Sequence, residues 1–385
     1  MKKILGAVTL LAVIAAAVLW FGPAFVERRM NRVRGLAPEV PESARQMHRR
    51  LLIVDLHADT LLWQRDLLTR SDRGHLDVPR LIEGNVALQA FTVVNRAPRN
   101  LNMIRNDNSS DMLMPLTILQ MWPVATWTSP KQRALYEAER FGRAASKSRG
   151  QLVWIKSASD LTSYLERRRN EPMLTAGFLG VEGADALEGD LANLQPFFGA
   201  GFRMLSLTHF TDTLFAGSST GTDKRGLTPL GRRLIKEMEA RQMIVDLAHA
   251  SPQTVDDVLE IATRPMLVSH TGVTATCDSN RNLSDDRIAR VAEKGGLIGI
   301  AYFQAAVCGT DVGAIARAIR HVTGLVGVEH AALGSDFDGN TTMPFDVSGL
   351  ASITAALLSN GFTENEIAKI MGENALHFLA ENLPR

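Results

Sequence analysis

Residues 243–270 read M-I-V-D-L-A-H-A-S-P-Q-T-V-D-D-V-L-E-I-A-T-R-P-M-L-V-S-H. Two short apolar runs, Met243–Leu247 and Met266–Ser269, flank a stretch of helical spacing, Ser251–Ala262. Short, mostly apolar and β-branched runs of that length read as strands. The stretch between them opens with Ser251 ahead of Pro252, a capping hydroxyl followed by a residue whose fixed φ suits the first helical turn. Each run also leads into a histidine, His249 and His270.

The same alternation extends in both directions. From residue 51 onward the strand candidates are Leu51–Leu56, Val86–Val94, Thr175–Val181, Met204–Thr208, Met243–Leu247, Met266–Ser269, Leu297–Tyr302 and Ala331–Gly334. Amphipathic stretches at Leu227–Arg241, Ser284–Glu293 and Asp311–Val322 separate them, and Ser284 before Asp285-Asp286 is a second N-cap candidate. Eight strands with intervening helices predict an α/β protein, a (β/α)8 TIM-like barrel. An open doubly wound sheet is the alternative, but no G-x-G-x-x-G follows an early strand. The polar stretch from about 95 to 150 is too long for a loop and reads as a helical excursion carrying Asp111–Trp122 and Gln132–Ser146. Leu350–Asn360, Glu364–Met371 and Asn374–Asn382 end the chain, the last two as helices that close the domain.

Ahead of the barrel, Ile4–Val26 is 23 residues without a charge. As a helix it would be roughly 35 Å long, enough for a bilayer core. We read residues 1–34 as a transmembrane anchor with a basic flank, residues 35–48 as a Pro-containing tether, and 49–385 as the barrel domain. A cleaved signal sequence competes, since Lys2-Lys3 makes a fair n-region, but the run is long and no small-x-small site follows. Arg28, Arg29, Arg32 and Arg34 rival Lys2 and Lys3, so charge alone does not orient the helix. Hydrophobic residues make up 45% of the chain and charged residues 22%, which excludes disordered and fibrous classes. The net charge of +1 offers no footprint for a nucleic acid.

The chemistry sits where the strands end, because that rim of such a barrel carries the reactive side chains. The first strand leads through D-L-H-A-D, placing Asp55, His57 and Asp59 at alternate positions. Later strands lead to Glu182, His209, His249, His270 and the pair Asp336 and Asp338. Each alone is unremarkable, for a histidine at a strand end is usually structural. Together on one rim, imidazoles and carboxylates are the ligand set of Zn²⁺, with Mn²⁺, Fe²⁺ or Co²⁺ as alternatives. Five ligands, His57, Asp59, Glu182, His249 and His270, exceed what one tetrahedral ion takes and predict two ions about 3.5–4 Å apart with a bridging carboxylate. His48, His75, His321, His330 and His377 lack this context and read as structural or solvated.

From about residue 50 to the C-terminus the chain resembles the membrane dipeptidase (renal dipeptidase) family of zinc metallopeptidases. The motifs that carry the likeness are D-L-H-A-D-T (55–60), G-V-E-G around Glu182, L-T-H (207–209) and V-D-L-A-H (245–249), followed by V-S-H (268–270), C-D-S-N-R-N-L-S-D-D (277–286) and G-S-D-F-D-G (334–339). The resemblance implies a barrel of the metal-dependent hydrolase type that cleaves dipeptides by a metal-bridging hydroxide attacking the peptide carbonyl. It implies two Zn²⁺ per chain, His57 and Asp59 on the first, His249 and His270 on the second, and Glu182 bridging. It makes His209 a substrate contact that helps hold the tetrahedral intermediate, Arg281 the grip on the substrate carboxylate, and Asp336 the general acid/base. It pairs Cys277 with Cys308 as a disulfide, which favours an extracytoplasmic body, and suggests a homodimer. Asn280 stands where relatives often carry a second arginine, and the 95–150 excursion looks unlike the mammalian proteins, so the substrate preference is open. The alternative is another dinuclear-metal hydrolase of the amidohydrolase type, acting on a lactone, phosphoester or cyclic amide. Such a barrel would favour a carbamylated lysine where His209 stands.

Overall fold

Eight parallel strands close on themselves in the computed structural model, which describes residues 1–34 and 39–385. They are β1 (Ile53–Ala58), β2 (Val86–Val94), β3 (Thr175–Glu182), β4 (Phe202–Ser206), β5 (Ile244–Asp246), β6 (Leu267–Thr271), β7 (Leu297–Ile300) and β8 (Ala331–Leu333). Each pairs with the next, and β8 returns to β1 with Leu333 opposite Asp55. The expected barrel is therefore the observed fold, with strand ends displaced by a few residues.

The mostly apolar character of the strands is explained by burial on both faces. One phase of each strand, including Val54, Ala90, Phe178, Met204, Ile244 and Leu267, packs inside the barrel with Leu376 and Leu379 of the C-terminal helix Asn374–Asn382. The opposite phase, including Phe91, Val181, Val245 and Ile298, packs with the outer helices. The inward phase then changes character along the strands: Phe178 gives way to Glu182, Ile244 to Asp246, Leu267 to Ser269. One half of the barrel is thus a hydrocarbon plug and the other a polar cup.

Local chemistry sets the helix starts. The Ser251 hydroxyl accepts from Thr254 N at 3.0 Å, with Pro252 in the first turn. Ser284 occupies the expected N-cap position of Asp285–Glu293, but its hydroxyl caps no backbone N–H and accepts from Arg287 Nη1 instead. The excursion after β2 holds two helices, Leu113–Leu119 and Pro130–Lys147, and ends in an unexpected short strand, Leu152–Trp154, paired with Thr175–Gly177 at the start of β3.

The N-terminal segment departs most from expectation. The first helix, α1 (Lys2–Met30), projects its apolar part into solvent-accessible space, where an 18-residue window has a mean hydropathy of 2.6. Its C-terminal end does not lead into a free tether. Glu27 is buried and pairs with Arg65 at 2.5 Å and Arg73 at 2.7 Å, and Arg65 continues to Asp338. Arg32–Val33 then pairs in parallel with Thr342–Met343. Residues 35–38 of the expected tether lie outside the described residues. Residues 42–48 are a second helix, α2 (Glu42–His48), whose Ala44, Met47 and His48 are buried. The body therefore includes residues that the Pro-containing composition had suggested were linker.

Candidate metal centre

The rim is built by a recurring offset. Glu182 ends β3 and His270 lies in β6, whereas His209, His249 and Asp336 each stand three residues beyond β4, β5 and β8. His57 lies in β1 and Asp59 just past it. Glu182 is the hub: its Oε1 lies 3.1 Å from His249 Nε2 and 3.5 Å from the Nε2 atoms of His57 and His270. Its Oε2 faces His209 Nε2 at 3.5 Å, and His57 Nε2 is also 3.5 Å from Asp59 Oδ1. Three groups have ligand atoms within 4.8 Å of one another: His57, Glu182 and His270; Glu182, His209 and His249; and His57, Asp59 and Asp336. All are buried. His57 is shared between two groups, and His209 belongs to one, so the cluster is more continuous than two separate ligand pairs.

Ser269 and Asp246, to which the sequence assigned no role, set the imidazole tautomers. Ser269 Oγ donates to Asp246 Oδ2 at 2.6 Å. Its single proton is thereby used, so it acts only as an acceptor toward His57 Nδ1 at 3.2 Å and His270 Nδ1 at 3.0 Å. Nδ1 of each ring is therefore a donor, which leaves Nε2, on the side of Glu182, as the nitrogen that would bind a metal once it carries no proton. Thr92 Oγ1 orients Asp59 at 2.7 Å. In the neutral ring His209 must donate from Nδ1 to the Arg96 carbonyl at 3.2 Å, leaving its Nε2 an acceptor in the cavity.

The electrostatics call for cations. Burial opposes charge on His57, but Glu182 and Asp59 outweigh it and push the imidazole up to about 10. Burial, then Asp59, raises the Glu182 carboxyl well above the usual range, and burial with Asp59 does the same to Asp336. His249 and His270 are lowered by burial and by neighbouring positive groups, and His209 falls to about 4 mainly through burial. The proton on His57 stands where a metal ion would be favoured, and ions binding there would displace it. Two buried atoms facing this space, His57 Nε2 and Glu182 Oε2, have no hydrogen-bond partner. The donor set, the orphaned atoms and the crowded carboxylates all fit divalent metal.

The backbone is held tightly here. His249 and Asp336 lie in the left-handed region at φ +63° and +66°, costly for non-glycine residues and typical of functional sites. A Cβ on Gly339 would come within 2.0 Å of Asp336 Oδ1. The last glycine of G-S-D-F-D-G is there so that the loop can pass the carboxylate.

Arg281 reaches the same cavity, of about 540 Å³, which Asp59, Glu182, His209, His249 and Asp336 also line. It is buried, donates from Nη2 to the His270 carbonyl at 2.7 Å, and has no partner at Nε. It pairs with neither acid on the following helix: Asp285 holds His321 at 2.8 Å and Asp286 faces Arg290 at 3.8 Å. Burial works against its charge, while Asp336 and Glu182 support it.

Two carboxylates from the same motifs lie elsewhere. The β1–β2 register shifts between Asp55 and Ala58, so strict alternation fails. Asp55 accepts from Ser335 N, Ser335 Oγ and Gln89 Nε2, outside the cluster. Asp338 pairs with Arg65 and accepts from His75 N. His48 and His75 are buried and structural: His48 sits between Thr354 and Gly84, His75 between Arg32 and Asp338. Cys277 and Cys308 form a disulfide with Cα atoms 5.2 Å apart.

The family profile of the membrane dipeptidases, peptidase family M19, matches residues 41–383. The chain belongs to that family. It is accordingly a metallodipeptidase, an enzyme class that depends on a metal cofactor. Mouse dipeptidase 3 is 28% identical over 355 residues, which cover 88% of this chain and 66% of the mouse protein. The crystal structure of dipeptidase AC, a metallopeptidase of family M19, superposes with a TM-score of 0.71 at 25% identity, covering 87% of this chain and 99% of that one. A metallopeptidase from Rhodobacter sphaeroides, solved with a phosphinate mimic of the dipeptide L-Ala-D-Ala, gives 0.69 at 25% identity over 86% of this chain and 99% of its own.

Proposed function

We propose that this metallodipeptidase hydrolyses dipeptides with two zinc ions per chain, of which His57 and Asp59 would hold one, His249 and His270 the other, with Glu182 as the shared ligand. When bound, such ions polarise a carbonyl oxygen and bring the pKa of water toward neutrality. The chain's own groups supply the remaining chemistry. Arg281 binds the substrate carboxylate, a planar anion that a guanidinium holds through two parallel N–H donors. That grip places the scissile bond one residue away, beside Glu182 and Asp336. Asp336 takes a proton from the attacking water and returns it to the leaving amine, as a carboxylate beside the ligand cluster can. His209, whose Nε2 lies 3.5 Å from Glu182 Oε2 in the same cavity, contacts the substrate.

The observation that carries this reading is Arg281: a buried guanidinium, unpaired by any acid of the following helix, in the cavity that holds the metal-type ligands. The dipeptide mimic in the R. sphaeroides relative supports the substrate class. We further propose that α1 anchors the enzyme in a membrane with the body on the oxidising, outer side, where a Cys277–Cys308 bridge persists, and that the chain works as a homodimer. Purified full-length enzyme in detergent should contain two zinc ions per chain, cleave dipeptides but not tripeptides, and lose activity to a chelator until zinc is restored. Equal cleavage of dipeptides and their C-terminal amides would overturn the assignment of Arg281. Its mass in detergent tests the dimer.

A further inference from the structure

The cavity has two unlike ends. Its polar end is the cluster around Glu182; the other is bounded by Trp63, Leu113 and Leu116, and by Val26 and Met30 of α1. The helix assigned to membrane anchoring is thus also a wall of the reaction chamber. It is held there by three independent contacts. Glu27 pairs with Arg65 and Arg73, the backbone at Gly22 runs so close to Leu119 that a Cβ would sit 2.8 Å from its Cδ1, and Arg32–Val33 pairs with Thr342–Met343. Val26 and Met30 pack on the apolar group that contains Leu62, Trp63, Leu113 and Trp122. The strand residue Thr342 itself lines the cavity, so the same contacts that seat α1 shape the pocket mouth.

A dipeptide of small residues would engage Arg281 and the rim and leave this apolar wall against water. A volume of about 540 Å³ lies within the roughly 300–1,000 Å³ of pockets that enclose drug-sized ligands. We infer that the last turns of α1 form a specificity wall, and that the preferred substrates are dipeptides carrying a large apolar side chain. The inference rests on the dipeptidase reading and adds the substrate class to it. Each methylene that such a wall covers is worth about 10- to 200-fold in discrimination, so a side chain of leucine or phenylalanine size gives ample contrast.

The test uses the full-length enzyme in detergent and a panel of Ala-Ala, Leu-Ala, Phe-Ala, Ala-Leu, Ala-Phe and Asp-Ala. In the wild type, kcat/KM for the best bulky apolar dipeptide should exceed that for Ala-Ala and Asp-Ala by at least about tenfold. Met30→Trp fills the space along the wall, and Met30→Gln keeps its length but makes it polar. Both should lower the bulky-to-small ratio at least about fivefold, through KM more than kcat. A wild-type ratio near one, or variants that slow every dipeptide in equal proportion, would overturn the inference while leaving the dipeptidase reading intact. No cleavage of any member would sink that reading and this one with it.

Discussion

Replacing Arg281 with alanine separates a substrate grip from a structural arginine. At about 4 Å and an effective dielectric constant of about 20, a guanidinium–carboxylate pair is worth about 4 kcal/mol. Drawing the substrate carboxylate out of water takes back part of this, and Asp336 and Glu182 already share the field of Arg281. A net loss of about 3 kcal/mol follows, inside the range measured for close interfacial pairs, or about 10²-fold in kcat/KM. The variant also removes the Nη2 donor from the His270 carbonyl. That disturbance acts on every substrate alike, so the informative quantity is a ratio. Wild type and Arg281→Ala are assayed on a free dipeptide and on the same dipeptide amidated at its C-terminus. The acid should lose about 10²-fold and the amide less than about threefold. Equal losses would refute the grip, and the restriction to dipeptides would then need another origin.

Four further outcomes are expected. Asp336→Asn should retain its metal and lose about 10²–10⁴-fold in kcat, the usual contribution of a general acid/base, measured alongside metal analysis. His270→Ala should lose zinc from one site before the other, visible as a fall from two ions toward one by elemental analysis during chelator titration. Glu27→Ala should destabilise the seating of α1 by about 3 kcal/mol, the low end for a broken buried pair because Arg65 keeps Asp338; faster amide exchange over the last turns of α1 should report it. Joint replacement of Cys277 and Cys308 by serine opens a loop with a sequence separation of 31 and should cost about 3.5 kcal/mol on the loop-entropy estimate, read from denaturant unfolding.

The barrel was legible because short, mostly apolar and β-branched runs such as Val86–Val94 recur eight times, separated by stretches of helical spacing. The rim was legible because chemistry gathers where those runs stop. His249 and His270 were recognisable from two copies of one pattern in a single stretch. Asp55 was grouped with His57 and Asp59 by alternation, and the register shift between Asp55 and Ala58 is a property of the pairing with β2 that no local pattern shows. Ser269 and Asp246 were hidden for a related reason: a serine beside a histidine gains meaning only when another strand brings His57 to it. The strand Leu152–Trp154 is too short for a periodic signal. In α1, Glu27 looked like one acid in a basic flank, because its partners Arg65 and Arg73 lie beyond a break in the apolar pattern.

The seating of α1 has a consequence for how the chain is made. Its charge latch needs residues only 38 and 46 positions downstream, Arg65 and Arg73. Its strand and the Asn31–Asn340 hydrogen bond need a segment 309 positions away. At roughly 5–20 residues per second of synthesis, the second partner emerges about 13–55 s after the first contact becomes available. Glu27 can be neutralised early, while the edge of Arg32–Val33 stays open until the last barrel strand has left the ribosome. The apolar helix α1 is translated well before the barrel and is among the last elements to be locked in place.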